Sequence, residues 1–286
     1  MVRFLHPQPN LFLYMNISYA ENGWTTFINE DLNTMSVNDI KEVARLTVEN
    51  TVTVFRNQNL TPEKQLEICE VMGKCQKVTD NRIMSISVIP GVLRVTGQKN
   101  EEGVPGLFGH KRDLDWHANQ PSNKERKPFI WLYGAEGTKG SKTSWINMIE
   151  AYNDLSEDFK EEIKDIKVYC GYKQGSYSDS PFFVEHINKD NPINLVHTND
   201  AGKVGLFFPF LQIFEFEGEA NNKFDDLMNR LKDHVLQEKY AYHHYWEDGD
   251  VVLAEQWLGI HKRWYFEDMD KRILHRIALD YSNVYN

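Results

Sequence analysis

Apolar residues recur along the chain at two distinct periods, and each predicts elements. Residues 36–49, SVNDIKEVARLTVE, open on an N-cap serine and set Val37, Ile40, Val43, Ala44 and Val48 near helical spacing, which predicts an amphipathic helix. A β-branched run at 51–55 reads as a strand; after a polar turn, Thr61 as N-cap and Pro62 at the first helical position predict a helix ending near Gly73. Short strands are expected at 83–88 and 92–97 around the Pro90–Gly91 turn, followed by a Gly- and charge-rich loop over 98–113. The unbroken apolar run 129–134, FIWLYG, reads as a core strand. Ser156 is expected to cap a helix through SEDFKEEIKDIKVY with Phe159, Ile163 and Ile166 as its buried stripe.

Residues 171–200 show little periodicity and read as one long loop, a lid or a plain surface excursion. A turn and strand follow at 197–210, then a helix over 221–237 with Phe224, Leu227, Leu231 and Val235 on one face. VVLAEQW, a tight connection and RILHRIALDY close the chain as a strand pair. Many short strands with a few outer helices predict a mainly β fold with flanking helices, a double-stranded β-helix (jelly roll, cupin-like). No Pro/Ser/Gly-rich linker or internal repeat divides residues 1–286, so a single domain is expected, with 171–200 as its candidate lid loop.

Charge narrows the task. Asp and Glu number 42 against 32 Lys and Arg, a net charge of −10, which disfavours nucleic-acid backbone binding and favours a small-molecule substrate. Three scattered cysteines, Cys69, Cys75 and Cys170, make neither a disulfide framework nor a thiolate cluster and point to a reducing, cytoplasmic setting. Polar interruptions at His6–Asn10 break any signal-peptide pattern, and no apolar run is long enough to span a bilayer, so no membrane association is expected. These features are compatible with a homo-oligomer.

The chemistry concentrates in 114–145. In an extended backbone, i and i+2 project from one face, so His117 and Asn119 can aim at one point while Ala118 turns away. That is metal-ligand spacing, and the C-terminal segment offers His261 to complete a non-haem iron facial site. His243 and His244 are adjacent, so at most one could reach such a site.

This order of residues resembles the taurine dioxygenase (TauD/TfdA-like) family of Fe(II)- and 2-oxoglutarate-dependent oxygenases, over most of the chain. The family's FR-x-Q-x-L-T-P-E stretch is matched by Phe55, Arg56, Gln58, Leu60, Thr61, Pro62 and Glu63, and GSKTSW resembles its G-G-D-T-x-W/F. The resemblance implies Fe(II), 2-oxoglutarate and O2 as cofactors and co-substrates, with His117, Asn119 and His261 as the metal and catalytic set. It implies that Arg272, eleven residues after His261, and Thr143, twenty-six after His117, hold the far carboxylate of 2-oxoglutarate. Arg276, fifteen after His261, falls where the family turns a second arginine toward substrate; Asp113 and Asp115 are further candidate substrate contacts. His197 falls in a turn similar to the family's H-P-E-T-G-R and is expected there and not at the metal.

Asn119 departs from the family, which carries aspartate or glutamate there. Three readings stand: the amide oxygen ligates; the position is left to water or an anion, as in relatives that halogenate; or iron binding is lost. Asp115, two residues before His117, is a candidate substitute carboxylate if the strand runs on regularly. The resulting expectation is hydroxylation of a small polar substrate with conversion of 2-oxoglutarate to succinate and CO2. The alternatives are a 2-oxoglutarate-dependent halogenase, against which the bulk of Asn119 counts, and a non-catalytic jelly-roll binding protein.

Overall fold

The computed structural model describes residues 15–77, 87–99, 103, 108–172 and 186–285. Its first half runs β1 (Ile17–Tyr19), β2 (Thr25–Ile28), α1 (Val37–Asn50), β3 (Val52–Phe55), α2 (Pro62–Met72), β4 (Ser87–Ile89), β5 (Val92–Val95), β6 (Leu114–His117), β7 (Phe129–Glu136), β8 (Lys142–Asn147), α3 (Met148–Asn153) and α4 (Glu157–Ile163). The second half runs β9 (Lys167–Tyr172), β10 (His186–Ile187), β11 (Ile193–Asn194), β12 (Val196–Thr198), β13 (Val204–Leu206), β14 (Ile213–Phe216), α5 (Phe224–Val235), β15 (Ala241–Tyr245), β16 (Val251–Glu255), β17 (Gly259–Arg263) and β18 (Ile273–Leu279).

Among the described residues two sheets make the jelly roll: a large one ordered β1-β2-β3-β16-β7-β18-β5-β4 and a smaller one ordered β15-β8-β17-β6. Strand alternation divides the large sheet's side chains between two cores. Val52, Val54, Ile130, Leu132, Val252 and Ala254 pack inward against Trp145 and Tyr242 of the smaller sheet. Phe55, Phe129, Trp131, Val251, Leu253 and Ile277 pack outward under α1 and α2. The outer face of the smaller sheet, through Trp116, Ile146 and Ile260, packs on residues of α3, α5 and β9. With both faces covered, FIWLYG is apolar throughout, as a strand buried on both sides must be.

The helix starts are where the sequence places them. Ser36 forms a capping box with Asp39, and Thr61 accepts from the Lys64 N–H with Pro62 behind it. Val37, expected in the α1 stripe, is 56% exposed; Thr47 is buried instead, its hydroxyl donating to the Val43 carbonyl at 2.8 Å and meeting Thr53 Oγ1 at 2.8 Å.

Three expectations are corrected. The helix after Ser156 stops at Ile163, and Lys167–Tyr172 is a strand pairing β14, a tertiary pairing that outweighs local helix propensity. Residues 186–200 are not one loop but carry β10, β11 and β12; residues 173–185, the centre of the expected lid, lie outside the described residues, as do 83–86 of the expected 83–88 strand. The terminal strands are not a pair: β7 lies between β16 and β18, and β17 belongs to the other sheet. The tight connection expected between VVLAEQW and RILHRIALDY is instead occupied by β17; the close turn falls between β16 and β17, where a Cβ at Gly259 would sit 2.5 Å from the Glu255 carbonyl oxygen.

Candidate active site

His117 ends β6 and His261 lies at the centre of β17. The ladder pairs them directly, bringing their ring centroids to 4.1 Å. Trp145, opposite His261 on the next strand, stacks on it at 6.3 Å. His117 Nδ1 lies 2.6 Å from the Asp115 carbonyl oxygen, which can only accept, so Nδ1 carries the proton and Nε2 the lone pair. Burial lowers the His117 pKa to about 4 and holds His261 well below the usual imidazole range, with neighbouring charge from His117 and Arg276 adding to it. Both rings are therefore neutral near pH 7, the form that ligates metal.

One cavity between the sheets is lined by His117, Asn119, His261, Thr143, Arg272 and Arg276, so six candidate residues from four stretches of chain share a wall. Leu114, Ile130, Leu132 and Leu274 supply apolar surface beside them. Arg272, Leu274 and Arg276 face the cavity alternately, while His275 points to the other side of the sheet and meets Gln65 Nε2 through its Nδ1 at 3.0 Å. Arg272 Nε donates to Ser141 Oγ at 3.1 Å, and Thr143 Oγ1 accepts from Trp246 Nε1 at 2.9 Å. Burial lowers the guanidinium pKa to about 9 at Arg272 and about 10 at Arg276, yet both stay cationic at neutral pH. Arg276 Nε is buried without a hydrogen-bond partner among the described residues. Two buried cations facing an apolar cavity are arranged to meet anions.

Asp113 and Asp115 are not in this cavity, which corrects their assignment as substrate contacts and Asp115 as a substitute ligand. Across from His261 and Arg263, β6 sets His117 and Leu114, three positions apart against two, so a bulge falls at 115–116 and breaks the i, i+2 parity. The Asp115 carboxylate consequently meets Lys262 Nζ at 3.3 Å, and Asp113 meets the same Nζ at 3.1 Å and the Tyr265 N–H at 2.5 Å. Among the described residues no group of three or more His, Cys, Asp or Glu side chains is placed to hold a metal. The donor set that fits a divalent ion is thus two neutral imidazoles with Asn119 beside them.

His197, His243 and His244 sit apart from this cavity. His197 stacks on Trp257 at 4.4 Å in the β12–β13 hairpin. His244 is buried with Nε2 3.1 Å from Asp250, whereas His243 faces the opposite way toward Ser144 and Glu238. Sequence reasoning missed Gln256, Arg263, Ser141 and Trp246. Arg263 had a signal, being two residues after His261 on one strand face; its guanidinium donates to the carbonyls of Phe108, His110 and Arg112 and holds that loop over the cavity.

The family model for the taurine catabolism dioxygenase TauD, TfdA family matches residues 19–278. The chain belongs to that family. With membership come the enzyme class, a non-haem Fe(II)- and 2-oxoglutarate-dependent dioxygenase, and its iron, 2-oxoglutarate and O2. The chain is similar to the alpha-ketoglutarate-dependent 2,4-dichlorophenoxyacetate dioxygenase of Burkholderia sp. (strain RASC), 22% identical over 255 residues covering 85% of this chain and 86% of that one. It is also similar to the (S)-phenoxypropionate/alpha-ketoglutarate-dioxygenase of Sphingobium herbicidovorans, 25% identical over 256 residues covering 82% and 84%. Among solved structures, a taurine dioxygenase from Burkholderia xenovorans superposes with a TM-score of 0.75 at 16% identity, covering 93% of this chain and 90% of that one. AAD-2 in complex with Mn(II) and N-oxalylglycine gives 0.74 at 18%, covering 94% and 98%. This TauD/TfdA-family chain thus shares the jelly roll of both.

Proposed function

We propose that this TauD/TfdA-family chain hydroxylates a small polar molecule bearing one anionic group, coupled to conversion of 2-oxoglutarate to succinate and CO2. The observation that carries the reading is the second buried arginine. Arg272, beside Thr143 and Ser141, suits the far carboxylate of 2-oxoglutarate; Arg276, further along the same cavity wall, remains for an anion of the substrate. The apolar wall of Leu114, Ile130, Leu132 and Leu274 would take the rest of that molecule and exclude water from it. The relatives' named substrates, a dichlorophenoxyacetate, a phenoxypropionate and taurine, are small acids of this kind.

His117, Asn119 and His261 would hold the iron, which when bound supplies the activation of O2 that an unactivated C–H bond requires. The protein's own share is placement. The Asp115 carbonyl keeps the His117 ring in one tautomer, Trp145 flanks His261, and the two arginines separate co-substrate from substrate. The similar dichlorophenoxyacetate and phenoxypropionate enzymes are named as dioxygenases, which supports hydroxylation over halogenation.

The test is anaerobic addition of Fe(II) and 2-oxoglutarate, followed by visible absorption. A charge-transfer band is expected in the parent and its loss in His117→Ala and His261→Ala; retention of the band in His261→Ala overturns the ligand assignment. In a screen of small acids, the substrate raises succinate release in the parent, and Arg276→Ala raises its KM at least tenfold while leaving 2-oxoglutarate affinity within threefold.

A further inference from the structure

Asn119 stands where the family pattern carries a charged carboxylate, and an amide can present either of two ends. Only the oxygen is a useful donor, because the amide nitrogen's lone pair is delocalised. The neighbours of Asn119 decide which end faces the histidines. Its Nδ2 donates to Gln256 Oε1 at 2.6 Å, and its backbone N–H donates to the same oxygen at 2.9 Å. Gln256 is 2% exposed, and its Nε2 donates to the Lys127 carbonyl at 3.3 Å.

The orientation of both side-chain amides follows from two backbone groups that cannot be turned over. The Asn119 N–H needs an acceptor and the Lys127 carbonyl needs a donor, so Gln256 must set Oε1 toward Asn119 and Nε2 toward Lys127. Turning Gln256 over would oppose donor to donor and acceptor to acceptor at once. Turning Asn119 over would bring its oxygen against Gln256 Oε1 at the 2.6 Å the pair now occupies. The nitrogen end is thus committed to Gln256, and Oδ1 is the end left on the cavity side, where Asn119 shares a wall with His117 and His261.

We infer that Gln256 is a positioning residue that presents Asn119 Oδ1 as the third metal donor, giving an uncharged face of two imidazoles and one amide. The inference rests on the proposed metal role of His117 and His261 and adds the residue that makes an amide serviceable there. A carboxylate at position 119 would need no such partner, since both of its oxygens can ligate.

That difference supplies the test, a double-mutant cycle on Co(II) binding without co-substrate under anaerobic conditions, read by affinity and by visible d–d absorption. Gln256→Leu is expected to weaken Co(II) binding at least tenfold in the Asn119 parent and to alter the absorption envelope. In the Asn119→Asp background the same change is expected to shift affinity by less than threefold. Equal losses in the two backgrounds would make Gln256 a packing residue and overturn the inference, as would no loss in the parent. Thermal melts check folding, and Gln256→Met, which keeps length and removes the acceptor, replaces the Leu variant if that one does not fold. If the parent shows no Co(II) absorption that His261→Ala removes, the metal reading itself fails and the inference with it; a His261-dependent band that is indifferent to Gln256 sinks the inference alone.

Discussion

At Arg272 the geometry demands a planar cation. The side chain is 1% exposed, its Nε is held by Ser141 Oγ, and Thr143 presents a hydroxyl oxygen on the same cavity wall. A guanidinium so held can meet a carboxylate with two parallel hydrogen bonds, which an ammonium cannot. Arg272→Lys is therefore expected to weaken 2-oxoglutarate binding by roughly ten- to a hundredfold, the loss of one charged hydrogen bond, despite unchanged charge. Calorimetric titration under anaerobic conditions reads this directly, and an unchanged affinity would move the co-substrate's carboxylate to Arg276. Asn119→Asp tests the neighbouring charge. Adding a carboxylate to the proposed metal set, which now has none, should tighten Fe(II) binding by at least about tenfold. Succinate release measured alongside shows whether the amide is a defect, in which case turnover rises, or an adaptation, in which case turnover falls while iron binds well.

Among the elements, the bulge in β6 decides the most. It sets His117 into the cavity and Asp115 out of it, against Lys262, on a strand that regular alternation would have given the same face to both. Asp115→Asn is expected to leave Fe(II) affinity within twofold and to cost at most about 1 kcal/mol of stability, as for a partly exposed ion pair. A tenfold loss of iron would restore Asp115 to the metal. The helix caps behave more simply. Ser36 accepts from the Asp39 N–H and the Asp39 carboxylate reaches back, so Ser36→Ala should cost about 1 kcal/mol in denaturant unfolding without touching the cavity.

For the molecule as a whole, the C-terminal end of β16, a central strand of the large sheet, stores a pH dependence. Glu255 is buried, and burial raises its carboxyl to about 7 even though the N–H groups of Trp257 and Leu258 and the nearby Arg126 favour the anion. The folded chain thus holds a proton that the unfolded chain releases near the ordinary 4.5, so stability is greatest below that value and declines as pH rises toward 7. The swing is on the order of 3 kcal/mol. Glu255→Gln should flatten the Tm-against-pH profile between pH 4.5 and 7 and gain on the parent above it; an unchanged slope would assign the dependence elsewhere.

What could be read from the residues alone was whatever short-range chemistry imposes. Ser36 and Thr61 cap helices by reaching N–H groups three residues on, and FIWLYG must be a strand buried on both faces, because each feature is complete within a few residues. The offsets of Thr143, Arg272 and Arg276 from His117 and His261 were legible by resemblance, and all five do line one cavity. Register was not legible. A single bulge reverses the face of every residue beyond it, so the fate of Asp115 depended on how β6 pairs with β17. The end of the helix after Ser156 was settled by β14, a strand some fifty residues away in sequence. The Asn119–Gln256 contact spans 137 residues and joins two polar side chains with no periodic signal. Only the folded sandwich brings them together, because the hydrogen-bond needs of two fixed backbone groups act at a distance that no local pattern encodes.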